Sequence, residues 1–183
     1  MKLSFLVLLG AIAAAPLLGA APALGAAPVL GAAPVLGADR DIYAPPEQAK
    51  ADLAAALKTA RDTHKRVILD FGGNWCPDCR ALDIYFHDAA NKPILDANFV
   101  LVHVNIGQRD ANLDIAKRYH VPLAKGVPAL AVLDTRGRRL YSQQGGEFEA
   151  MRHMASSSVT QFLNDWKPAT RHSASLQAAP PST

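Results

Sequence analysis

The chain has 183 residues, half of them hydrophobic and 19% charged, with two cysteines and a formal net charge of +3. This composition excludes bulk disorder and a disulfide-dense scaffold. The small positive balance, without any run of Lys or Arg, offers no electrostatic footprint for nucleic acid.

The charges are unevenly placed. None lies between Lys2 and Asp39, so the rest of the chain carries all the acidic residues and every basic one except Lys2. The basic Met1-Lys2 start and the apolar run over residues 3–18 have the form of a signal peptide. Pro16 cuts that run short of the roughly 20 residues a span needs, so a cleaved signal is expected ahead of an uncleaved membrane anchor. With no cysteine near the start, a lipid-modified N-terminus is not expected. Hexapeptides beginning at Pro16, Pro22, Pro28 and Pro34 follow. Each contains Pro and Gly, which prevents a regular helix, so they read as a linker without chemistry. Residues 1–38 are therefore assigned to signal and linker, 39–166 to one folded domain, and 167–183 to an Ala/Ser/Pro-rich tail.

Pro45-Pro46 precede a helix on which Ala49, Leu53, Ala56, Leu57 and Ala60 form one stripe. Residues 66–71 are a short apolar run ending at Gly72-Gly73, the pattern of a buried strand. A second helix is expected from near Cys76, carrying Leu82, Tyr85, Phe86 and Ala89. Residues 99–106, rich in Val, form the next strand, and 112–119 a helix. Residues 128–134 form a third strand. The turn Thr135-Arg136-Gly137-Arg138 joins it to 139–143 as a hairpin. A final helical stretch covers 147–166, with capping-box spacing at Ser158 and Gln161 suggesting a break. The order α-β-α-β-α-β-β-α predicts an α/β fold. Its mixed β-sheet is parallel where helices separate strands, antiparallel at the terminal hairpin, and sandwiched by helices.

Both cysteines lie in Trp75-Cys76-Pro77-Asp78-Cys79. The spacing brings two sulfurs within one helical turn, close enough for a Cys76–Cys79 disulfide. A strand–loop–helix junction places Cys76 at a helix N-terminus, where free N–H groups and the dipole favour a thiolate. Cys79, one turn in, is shielded, which suits an attacking thiol paired with a resolving thiol. A zinc site needs four ligands, and His87 and His120 lack ligand spacing. No metal is expected. A purely structural disulfide closing so short a loop would stabilise little. Redox chemistry is the reading that uses the motif.

With these residues in view, the region from Val67 to Trp166 resembles the thioredoxin superfamily. The strand Val67-Ile-Leu-Asp-Phe71 leads into the Cys-x-x-Cys motif. Asp70, six residues before Cys76, matches the family's buried acid. Gly126-Val127-Pro128-Ala129 matches its loop with a cis-proline, and Gly145 or Gly146 the glycine after the hairpin. The resemblance implies a thioredoxin-like fold in which Asp70 takes or gives the proton of Cys79, since burial disfavours a carboxylate's charged form. It implies that Pro128 shapes a substrate groove and leaves the backbone at Val127 free to pair with a client strand. Trp75 and Pro77 would border that groove, Trp75 covering the sulfurs from one side.

Several residues depart from the family pattern. Pro77-Asp78 replaces the usual Gly-Pro. Asp78 puts negative charge near the Cys76 thiolate, which is expected to raise the thiol pKa and make the couple more reducing. His103 stands where the family has a lysine near its buried acid. It either pairs with Asp70, making the proton step pH-sensitive, or is simply a strand histidine facing a helix. Residues 121–125 lengthen the loop beside Pro128.

The expected protein is a periplasmic or secreted thiol–disulfide oxidoreductase with no cofactor. Its clients are Cys-containing proteins, its electron donor is a membrane thiol relay, and a monomer is expected. The alternatives are a dithiol oxidant, or a chaperone-like binding module on the same scaffold with little redox turnover.

Overall fold

A computed structural model describes residues 40–169. The signal-like segment, the hexapeptide linker and the tail from residue 170 lie outside the described residues. Among the described residues no helix is long and apolar enough to cross a membrane.

The first helix, α1 (Ala49–Thr63), buries Ala49, Leu53, Ala56 and Ala60, the stripe expected from three- and four-residue spacing. It stops at His64, whose left-handed backbone returns an N–H to the Ala60 carbonyl. Strand β1 (Arg66–Gly72) is buried from Val67 onward, as a central strand covered on both faces must be. Helix α2 (Pro77–Phe86) follows, then α3 (Lys92–Asn98) and strand β2 (Phe99–Asn105). Short helix α4 (Leu113–Arg118) leads to strands β3 (Ala129–Leu133) and β4 (Arg139–Ser142), and α5 (Ser157–Trp166) closes the domain.

The sheet order is β2-β1-β3-β4. One apolar layer joins α1 and α4 to the sheet through Leu53, Ala56, Leu69, Val104 and Ile115. The other joins α2, α3 and α5 through Leu82, Phe86, Leu95, Val159 and Phe162. The expected sandwich of helices around a mixed sheet is therefore present.

Three details correct the expectations. First, β1 pairs in parallel with β2 but antiparallel with β3, although helix α4 separates β2 from β3. A six-residue helix rises about 9 Å, while a seven-residue strand spans about 23 Å. Helix α4 is thus too short to carry the chain back along the sheet. Residues 119–128 return it to the end where β2 stopped, so β3 starts there with Ala129 opposite Phe71. Second, helix α3 was not expected. It starts with Pro93 in its first turn and buries only Leu95, too little apolar periodicity to show in the sequence. Third, the last helical stretch does split, but α5 starts at Ser157, with Ser156 at the N-cap and no side-chain cap bond. Ser158 lies inside the helix, so the Ser158/Gln161 spacing is not its cap.

Candidate active site

Cys76 is the N-cap of α2, with φ −91° and ψ 111°, and its Sγ accepts the Cys79 N–H at 3.1 Å. Pro77 at the first helical position fixes φ for the helix start and has no N–H to leave unsatisfied. Cys76 and Cys79 form a disulfide, with Cα atoms 5.3 Å apart. Cys79 is fully buried and Cys76 nearly so, but Pro77 and Trp75 beside Cys76 are exposed. The approach to Cys76 is therefore open on that side, and Cys79 is reached only through its partner. Once the pair is reduced, the N-terminal N–H groups of α2 and its dipole act on the Cys76 sulfur and favour its thiolate.

The Val127–Pro128 peptide is cis, and the Val127 carbonyl oxygen lies 3.7 Å from the Cys76 sulfur. Two residues hold this loop, Gln143, which the sequence analysis passed over, and Gly146, one of the two glycines it singled out. Buried Gln143 donates from Nε2 to the Pro128 carbonyl at 3.3 Å and accepts the Leu130 N–H at 3.2 Å. It thereby extends the sheet ladder past the proline, which has no N–H of its own. Gly146, at φ +82°, lies against the Lys125 carbonyl, where a Cβ would come within 2.5 Å. Of the two candidate glycines after the hairpin, Gly146 is the one that needs to be glycine here.

Asp70 is completely buried. The β1–β2 register sets His103 directly across from it, and His103 Nδ1 lies 2.9 Å from Asp70 Oδ2. The pairing alternative for His103 is thus the observed one. Tyr43, which the sequence analysis passed over, donates its phenol to the same Oδ2 at 2.7 Å. Burial, reinforced by the Asp70 and then the Asp83 charge, holds the Tyr43 hydroxyl well above its ordinary pKa, so it stays protonated. Asn74 positions Tyr43 by accepting the N–H groups of Ile42 and Tyr43 and donating to the Tyr43 carbonyl. The signal for Tyr43 was only an aromatic residue just before Pro45-Pro46. Gly72 joins these groups: a Cβ there would lie 2.5 Å from the Tyr43 hydroxyl and 2.6 Å from the Cys79 sulfur. The Tyr43–Asp70 pair and the buried thiol are therefore close neighbours across the Gly72 Cα.

Trp75 is 41% exposed. Its indole N–H donates to the Gly107 carbonyl at 2.6 Å, and the Arg109 guanidinium lies 5.6 Å from its ring centroid. The tryptophan is anchored to the 107–109 loop and forms one rim of the site.

Asp78 is not a free charge. The Arg152 N–H donates to its Oδ1 at 2.9 Å, and Arg152 Nε lies 3.2 Å from the same oxygen. Partial burial raises the Asp78 pKa, but these Arg152 contacts and the nearby His153 outweigh it and hold the carboxyl below the usual range. Arg152 arrives on the turn Met151–His153 after the hairpin, 74 residues away in sequence. It offsets much of the negative field that Asp78 alone would impose on Cys76. Replacing Arg152 by Gln is expected to unmask that field, raising the Cys76 thiol pKa on the order of half a unit and making the couple more reducing. Iodoacetamide alkylation of Cys76 against pH checks this; an unchanged or lowered pKa would show that Arg152 does not screen Asp78.

Among the described residues no three His, Cys, Asp or Glu side chains converge in a way that could hold a metal ion.

A vicinal cysteine pair at a helix start, facing a cis-proline loop and backed by a buried carboxylate, is the equipment of a thiol–disulfide redox domain. The comparisons agree. A family model described as thioredoxin-like matches residues 48–135. The crystal structure of a disulphide isomerase from Xylella fastidiosa Temecula1 is similar, with 32% identity and a TM-score of 0.64. That match covers 71% of this chain and 97% of that one. Thioredoxin H4 of Arabidopsis thaliana is 37% identical over 49 residues, covering 27% of this chain and 41% of that protein. Thioredoxin H3 of the same plant is 39% identical over 54 residues, covering 30% and 45%. The chain spans less than half the length of these two plant relatives. The chain belongs to the thioredoxin-like family.

Proposed function

We propose that this protein reduces or isomerises disulfides of other proteins in the periplasm or outside the cell. The observation that carries the reading is the asymmetry of the pair. Cys76 caps α2 beside exposed Pro77 and faces the Val127 carbonyl, whereas Cys79 is buried behind it. In this reading Cys76 attacks a client disulfide to form a mixed disulfide. Cys79 then resolves it, leaving the client reduced and the pair oxidised. Asp70 takes the Cys79 proton. The Val127 N–H donates to no other group among the described residues, so an extended client segment can pair with it. The similarity to a disulphide isomerase supports the isomerising reading. Residues 1–18 support export, and a membrane thiol relay is the proposed source of electrons.

The test is the reduction potential of the Cys76–Cys79 pair in glutathione or dithiothreitol buffers. A value near about −250 mV or lower is expected for a reductase fed by an upstream donor. A value of about −120 to −150 mV would overturn the reducing direction and make the protein an oxidant. A pair that never cycles would leave only a binding module.

A further inference from the structure

The buried thiol has a proton to lose and no direct contact with water. Cys79 and Asp70 are both fully buried. Tyr43 stays protonated and only donates to Asp70, so it does not accept that proton. The other neighbour of Asp70 is His103, and it differs in two ways. Its side chain is 18% exposed, and its second nitrogen, Nε2, lies 3.5 Å from Oδ1 of a second buried carboxylate, Asp83. Asp83 sits on α2 one turn beyond Cys79, and its Oδ1 has no hydrogen-bond partner among the described residues. Beside it lie Arg40, whose Nη2 is 3.1 Å from Asp83 Oδ2, and His87, whose Nδ1 is engaged with the Asp83 backbone carbonyl at 2.8 Å and lies near Oδ1 without bonding it; their side chains are 72% and 42% exposed.

We propose that His103 is the proton exit of the redox site, passing the proton from Asp70 to Asp83 and so to solvent. The proposal rests on the redox reading of the cysteine pair. In that reaction the Cys76 thiolate attacks a client S–S bond and one client sulfur leaves. Cys79 then loses its proton and attacks the Cys76 sulfur, and the second client sulfur leaves. The client gains two electrons and the cysteine pair loses two. One proton leaves Cys79 for Asp70, while one of the released client thiolates takes a proton from solvent. The proton on Asp70 moves to His103 Nδ1 as Nε2 releases one towards Asp83. An imidazole has two nitrogens on opposite sides of its ring and can do both at once. The 3.5 Å gap to Asp83 closes to hydrogen-bond range with a small turn of the ring.

The groups facing His103 come from every element around it. They are Tyr43 from the N-terminal segment, Asp70 from β1 and Asp83 from α2; Arg40 and His87 contact Asp83, and Asp52 of α1 lines an adjacent groove. That groove, about 380 Å³, is bordered by Ile42, Ala55, Ala56, Thr59 and His103 itself. Small side chains on α1 leave it open, so small molecules reach the ring from solvent.

The experiment is rapid mixing of the reduced protein with glutathione disulfide between pH 5 and 9. It resolves mixed-disulfide formation from its resolution by Cys79. In His103→Gln, resolution is expected to slow at least about tenfold and change its pH profile, with Cys76 alkylation by iodoacetamide within about twofold of wild type. Asp83→Asn is expected to slow the same step. In His103→Ala, added imidazole entering the groove is expected to restore the rate, which a merely structural histidine would not allow. A wild-type resolution rate and pH profile in His103→Gln would overturn the proposal. So would His103→Ala unresponsive to imidazole, and a wild-type rate in Asp83→Asn would overturn the exit through Asp83. If the wild-type protein does not exchange with glutathione disulfide at all, the redox reading itself falls.

Discussion

Replacing Cys79 by Ser is expected to turn this protein from a turnover catalyst into a trap. Cys76 would still attack, because the features acting on its sulfur belong to the start of α2. These are its N-cap position, the Cys79 backbone N–H and the first-turn N–H groups, and a serine at 79 keeps all of them. The mixed disulfide would then have no intramolecular thiol to resolve it. Net disulfide reduction should fall at least about a hundredfold, while covalent adducts between Cys76 and clients accumulate. Non-reducing electrophoresis and mass spectrometry of the adducts measure both. Client association that survives unchanged, with no covalent adduct, would mean a non-covalent holder and not an oxidoreductase. Cys76→Ser is the matching control and should show neither turnover nor adducts.

Gly72→Ala is expected to give the largest loss of stability from the smallest chemical change. The added methyl would meet the Tyr43 hydroxyl at 2.5 Å and the Cys79 sulfur at 2.6 Å, both on fully buried side chains. Neither can move aside cheaply. Tyr43 is held by Asp70 and by the Asn74 clamp, and Cys79 by its place on α2. Overpacking of this kind costs about 1–3 kcal/mol, and a domain of this size then melts roughly 5–10 °C lower. The reaction chemistry should suffer too, because relief of the clash separates Cys79 from the Tyr43–Asp70 pair. Gly73→Ala is the informative contrast: its methyl would meet the indole of Trp75, which is 41% exposed and held at its N–H by a single hydrogen bond to the Gly107 carbonyl, so it yields at lower cost than two buried side chains. Thermal unfolding of the two variants decides the matter. A melting point for Gly72→Ala within a degree or two of wild type would show that the Tyr43 and Cys79 packing gives way easily.

The legibility of this chain differed from residue to residue for physical reasons. Helix α1 and strand β1 were readable because their burial follows periods of 3.6 and of a fully covered strand, and those periods are written in the order of apolar residues. The Cys-x-x-Cys pair was readable because its chemistry is local, two sulfurs and a helix start within four positions. Asp70 and Pro128 were readable only through resemblance, since an aspartate in an apolar strand and a proline before one carry no period. Helix α3 was not readable, because one buried leucine gives no stripe. The antiparallel β3 was not readable either, since it depends on how far the six residues of α4 can carry the chain, a question of length in space and not of pattern.

By itself, then, the sequence determined the parts of this protein whose causes lie within a few residues of each other. These were the periodic elements, the hairpin turn at Gly137, and a cysteine at a helix N-terminus with a shielded partner one turn on. The tertiary structure decided which distant groups act on that pair. Arg152 compensates Asp78 across 74 positions. Tyr43 and His103 share one oxygen of Asp70 from either side of it in sequence, and Asp83 faces the far nitrogen of His103. Charge–charge and proton-transfer effects depend on separations of a few ångströms in a medium of low polarity. The chain sets those separations only when the sheet register and the helix packing are complete.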